Sequence, residues 1–179
     1  CRNPLSIGLG DDIDLETPSL AVTSHINGAY VNGIIDLEGT YADDFADVTV
    51  RVSLDSGVTF GQAHVDQVAR HWSYTVDTTT YDDAAYDVII TIADNAGKTI
   101  EKRTLLYFDN TPPVVLVKVP LGYTYPPNEY NGTVSIRGDA YDQFPVQEVL
   151  VEVYNASGTR LATSADSTEP IGTNSWAYP

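Results

Sequence analysis

The second half of this chain repeats the first. Asn131-Gly132 matches Asn32-Gly33, and Val134, Ile136 and Gly138 match Ile35, Leu37 and Gly39. Asp142 and Phe144 match Asp43 and Phe45; Val149, Val151 and Val153 match Val50, Val52 and Leu54. Trp176 and Tyr178 match Trp72 and Tyr74 after a short insertion. Glycine, apolar and aromatic positions recur together at a nearly constant offset, so one structural unit has been written twice.

The unit is made of short strands. Val48, Val50, Val52 and Leu54 alternate with Thr49, Arg51, Ser53 and Asp55, which is the period of a half-buried strand. Trp72, Tyr74 and Val76 alternate in the same way, as do Tyr86, Val88, Ile90 and Ile92. Asn27-Gly28, Asn32-Gly33, Asp55-Ser56-Gly57 and Asp94-Asn95-Ala96-Gly97 are turn signals between them. This predicts about seven strands in about 90 residues, the spacing of a β-sandwich. Val50, Leu37, Trp72, Tyr74, Val88 and Ile90 are its expected core. No segment shows helical spacing with caps.

Asp109-Asn110-Thr111-Pro112-Pro113 separates the two copies. Prolines cannot donate to a ladder and hold the preceding residue extended, so pairing stops there and the connector is stiff. Thr17-Pro18 is the same punctuation before the first apolar strand. The expected division is a tether over 1–16, a first domain over 17–110 and a second over 111–179. The second copy ends soon after its Trp-Tyr strand, without equivalents of strands 85–93 and 98–108, so it reads as incomplete. A fragment, strand donation by another chain and a smaller, altered fold are the alternatives. Strand donation would give self-association through the open edge along Val149 to Tyr154.

Charge narrows the partners. The formal net charge is −16 over 179 residues. No basic patch is available to displace phosphate counterions, which disfavours nucleic acid, and an anionic membrane surface would repel the chain. No apolar run is long enough to span a bilayer. The single cysteine is Cys1, followed by a polar stretch, Arg2-Asn3-Pro4. This start resembles a processed bacterial lipoprotein, which implies lipid on Cys1 as the membrane anchor.

Taken together, the Asn32-to-Gly39 strand, the Val-rich strand with Asp55-Ser56-Gly57, Trp72-Ser73-Tyr74-Thr75, Ala93-to-Gly97 and Asp109-to-Pro113 resemble bacterial immunoglobulin-like repeat domains of surface and secreted proteins. The resemblance covers roughly residues 17–179. It implies an all-β fold of tandem immunoglobulin-like β-sandwiches, the second incomplete, at the outer membrane or cell surface, or in the periplasm. The implied roles are spacer, adhesin stalk or assembly component. A module recognising protein or glycan, or an accessory segment of a larger surface enzyme, are the rivals.

Aspartates crowd the turns, and calcium takes six to eight oxygen ligands. In a sandwich of this topology, Asp43, Asp44 and Asp94 should gather near Asp12 and Asp14 at the end where the chain arrives. Asp82, Asp83, Asp109 and Asn110 should gather at the other end, with Asp142 of the second unit. Related repeats of large adhesins bind calcium at such joints, which makes the second group the candidate calcium set. The plain alternative is that these residues cap their own turns. Tyr123 and Tyr125, in a Pro-rich insertion absent from the first unit, are the candidate partner-binding residues. His25, His64 and His71 lack metal-ligand spacing, and no Gly-x-Ser-x-Gly elbow occurs, so catalysis is not expected.

Overall fold

The computed structural model describes residues 14, 16–45, 47–119, 135–163 and 175–178. The chain divides into two compact units, Cys1–Asn110 and Thr111–Pro179. Cys1, Asp12, Tyr123 and Tyr125 lie outside the described residues.

The first unit is a sandwich of two sheets. One runs in the order β1 (Ser19–Val22), β3 (Ile34–Ala42), β7 (His71–Asp77), β6 (His64–Asp66). The other runs β2 (Ala29–Val31), β9 (Thr99–Phe108), β8 (Ala84–Asp94), β4 (Val48–Ser53), β5 (Gly61–Gln62). Period-two patterning sets the inward faces. Val50 and Val52 are buried while Thr49 and Arg51 are exposed. Leu37, Trp72, Val76, Val88, Ile90, Ile92, Leu106 and Phe108 complete the core between the sheets. Tyr74, expected inside, is only partly buried and packs against that core. β8 lies between β9 and β4, so its backbone is paired on both sides.

Two local features depart from the sequence reading. The run after the Asp55-Ser56-Gly57 turn does not form one hairpin strand but is split between the two sheets. β5 pairs with β4 in one sheet and β6 with β7 in the other. Ala63, buried at the crossing point, donates its N–H to Val50 O at 2.9 Å. The first strand likewise stops at Val22, and after the Asn27-Gly28 turn β2 joins the opposite sheet, parallel to β9. Each crossing lets one run of chain cover both open edges of the sandwich.

The second unit repeats the first in register. Ser19↔Ala42 through Val22↔Gly39 in the first unit corresponds to Val114↔Tyr141 through Val117↔Gly138 between β10 (Val114–Val119) and β11 (Ile136–Tyr141). Leu37↔Tyr74 and Gly39↔Trp72 correspond to Ile136↔Tyr178 and Gly138↔Trp176 between β11 and β14 (Ser175–Tyr178). β12 (Glu152–Tyr154) and β13 (Arg160–Thr163) form a hairpin. The strand expected from 149 to 154 is thus shortened to 152–154. Its counterpart β4 owes its length to a six-residue ladder with β8, whereas β12 has its ladder to β13. Among the described residues, Ala140 and Val149 form the buried centre of this unit, with Ile136, Val146 and Val151 against it.

Candidate functional site

The two poles of the first sandwich are built differently. At the N-terminal pole the chain arrives through Asp14 and Glu16 and turns inward at Pro18, which is fully buried. Lys98, in the turn of the β8–β9 hairpin, reaches back to this segment. Its Nζ donates to Asp14 Oδ1 at 2.6 Å, to Asp14 O at 2.9 Å and to Glu16 O at 2.7 Å. The Asp14 hydrogen bond, with the charges of Asp14, Asp94 and Asp44, raises the Lys98 pKa above its ordinary value. Asp94 caps the same hairpin: its Oδ1 accepts from Lys98 N at 2.8 Å.

Asp43, on the loop after β3, completes the arrangement. One carboxylate oxygen each from Asp14, Asp43 and Asp94 lie within 4.8 Å of one another. Asp44 faces outward and accepts from Phe45 N at 3.2 Å. The convergence expected from topology at this pole is therefore present for Asp14, Asp43 and Asp94. Burial, and then repulsion from Asp14, Asp44 and Asp94, pushes the Asp43 carboxyl pKa up.

At the opposite pole, Asn110 ties the end of β9 into the sandwich. Its N–H donates to Asp83 Oδ1 at 2.8 Å, and its Nδ2 to Thr78 O at 3.1 Å. Its Oδ1 accepts from Gly33 N at 3.1 Å and lies 2.9 Å from the Thr78 hydroxyl. Of the residues picked out here from sequence, Asp83 and Asn110 are brought into contact. Asp82 offers its backbone carbonyl to the Tyr86 hydroxyl at 3.0 Å, and Asp109 N donates to Val31 O at 3.0 Å. Asp142 belongs to the second unit, where its Oδ1 accepts from Phe144 N at 3.1 Å. In the repeat it occupies the position of Asp43. Asp83, Asn110 and Asp142 thus all act as structural hydrogen-bonding groups in their turns.

No family model matches the sequence, and no curated protein is significantly similar to it. Among solved structures, the I-band fragment I67–I69 from titin matches 91% of this chain and 54% of its own length, at 8% identity and a TM-score of 0.51. The fibronectin(III)-like modules of Clostridium thermocellum CbhA match 89% of this chain and 78% of their own length, at 14% identity and a TM-score of 0.46. The endo-β-1,4-mannanase from Thermotoga petrophila matches 55% and 21%, at 14% identity and a TM-score of 0.44. The chain spans about half of the titin fragment and about a fifth of the mannanase. The likeness to the titin fragment is one of fold: the chain is all-β, in the class of immunoglobulin-like β-sandwiches.

Proposed function

We propose that this chain is a non-catalytic structural module of the bacterial cell envelope, a spacer or stalk tethered through lipid on Cys1. The observation that carries the reading is the placement of the two chain ends on the first sandwich. The arriving segment is held beside Asp94, at the last residue of β8. The departing residue Asn110 is held by Asp83, just before the first residue of β8. β8 is 11 residues long, which separates the two attachments by on the order of 35 Å. Domains often have neighbouring termini. This one takes the chain in at one pole and releases it at the other, as a unit inserted in series must. The Pro112-Pro113 pair beyond Asn110 stiffens the continuation.

The test is made in the native host. A tag placed after Tyr178 is labelled on whole cells, with and without residues 17–110. Loss of labelling on deletion, restored by an unrelated sandwich of the same length, supports a spacer. Labelling unaffected by the deletion overturns it. Intact mass of the N-terminal peptide from purified membranes should show an acyl adduct on Cys1, and an unmodified cysteine removes the anchor from the proposal.

A further inference from the structure

We propose that the pit formed by Asp14, Asp43 and Asp94 binds calcium, which fastens the segment before β1 to the two loops it passes. The convergence of three carboxylates is one observation. A second, independent one is the state of their oxygens. Asp14 Oδ2, both oxygens of Asp43, and Asp94 Oδ2 are buried and have no hydrogen-bond partner. Asp94 is only 7% exposed, and the Asp14 side chain 11%. A buried carboxylate oxygen without a donor is costly, and native folds rarely leave one. Here four such atoms occur on three side chains that face one another.

Charge points the same way. Three carboxylates meet one ammonium, that of Lys98, with Asp44 adding negative charge from the loop. The Lys98 ammonium is directed to Asp14 Oδ1 and to the carbonyls of Asp14 and Glu16, and leaves the four oxygens unanswered. The remaining double negative charge matches a divalent cation.

The donor set selects the metal. All the ligating groups are carboxylates, with no imidazole or thiolate, which favours a hard cation over zinc. Opposite ligands of calcium lie about 5 Å apart, and those of magnesium about 4 Å. Oxygens that all lie within 4.8 Å of one another are close enough for one such ion to reach all three. Magnesium needs a smaller, near-octahedral cage and keeps more of its water. The three ligands come from three separate stretches of chain: the arriving segment, the β3–β4 loop and the last residue of β8. A bound ion therefore acts as a cross-link. The site stands independently of the spacer role, because binding is read on the purified chain.

The experiment uses the full chain, stripped with a chelator and titrated with calcium chloride by calorimetry, with melting temperature followed in parallel. Saturable calcium binding and a rise in melting temperature are expected, with a weaker response to magnesium. Asp43→Asn removes a ligand charge without breaking a hydrogen bond, and should weaken calcium binding at least about tenfold. Asp44→Asn, on the same loop but facing outward, should change it less than about threefold. Tryptophan fluorescence checks that each variant is folded; should Asp43→Asn fail to fold, Asp14→Asn, on the arriving segment, replaces it. Absence of calcium heat and of a melting shift in the wild type overturns the site. So does wild-type affinity in the folded ligand variant.

Discussion

Gly39 and Trp72 are cross-strand partners, and the missing side chain of one makes room for the ring of the other. Trp72 is fully buried, and its indole Nε1–H donates to Ala21 O at 3.2 Å. A Cβ built on Gly39 would overlap that carbonyl oxygen and fall 2.7 Å from Nε1. The indole of β7 thus reaches across β3 to the edge strand β1, adding one hydrogen bond to the β1–β3 ladder past a strand position only glycine can fill. The same pair recurs in register as Gly138 and Trp176.

Gly39→Ala should therefore destabilise the first unit by about 1–3 kcal/mol, by overpacking against backbone that cannot yield. Trp72→Ala should cost about 3–5 kcal/mol. The double variant should cost less than the two singles together, since removing the indole relieves part of the clash. Urea unfolding of all four proteins checks this.

Asn110→Ala should cost about 1–3 kcal/mol, because it orphans the Gly33 N–H and removes one of the two donors to the Thr78 carbonyl, which keeps Tyr81 N. Hydrogen exchange should show faster opening at Gly33, while the Lys98 pole is unchanged. Equal loosening at both poles would show that Asn110 is not a local tie.

Asp55 contributes to the acid limb of stability. The hydroxyl of Thr59, then its N–H, then the hydroxyl of Ser53 hold the Asp55 pKa down at about 2. The folded value lies below the ordinary 3.8, so the folded state binds fewer protons in this window. The contribution is complete above the ordinary carboxylate pKa and is lost as pH falls through about 2. Asp55→Asn should flatten the dependence of unfolding free energy on pH across that window, as read from denaturant titrations.

Asp43 has the opposite sign. Its folded pKa lies above the ordinary 3.8. The metal-free protein should lose stability as pH rises from the ordinary value through the raised one. Asp43→Asn should then be more stable than wild type at neutral pH in chelator, and less stable than wild type in saturating calcium. The crossing of the two melting temperatures with calcium is the readout.

The strands were legible because their patterning is local: Val48 to Ser53 and Trp72 to Val76 announce both their period and their inward face. The repeat is visible down to Gly39 with Trp72 and Gly138 with Trp176, since glycine and tryptophan leave little freedom in what they oppose. The crossings at Val22–Ala29 and at Ala63 were not legible. A chain that changes sheets keeps its alternation while changing its neighbours, and only tertiary pairing decides which edge it joins. The acidic pit was half legible. Topology placed Asp14, Asp43 and Asp94 at one pole. Which aspartates lose their donors depends on where Lys98 and Phe45 point their hydrogens, and spacing does not encode that.

The parallel pairing of β2 with β9 has a mechanical consequence. Ala29, Tyr30 and Val31 lie beside Leu106, Tyr107 and Phe108, flanked by Gly28 N to Leu105 O at 2.7 Å and Asp109 N to Val31 O at 3.0 Å. Tension between the arriving and departing ends drags β2 back toward its start and β9 forward toward its finish. In a parallel pair those pulls are opposed along the strands, so the bonds crossing between them are sheared together. An antiparallel hairpin pulled apart at its open end would unzip one bond at a time. Under such tension, once the β1–β3 ladder ahead of it has let go, this short patch of backbone would be loaded in shear.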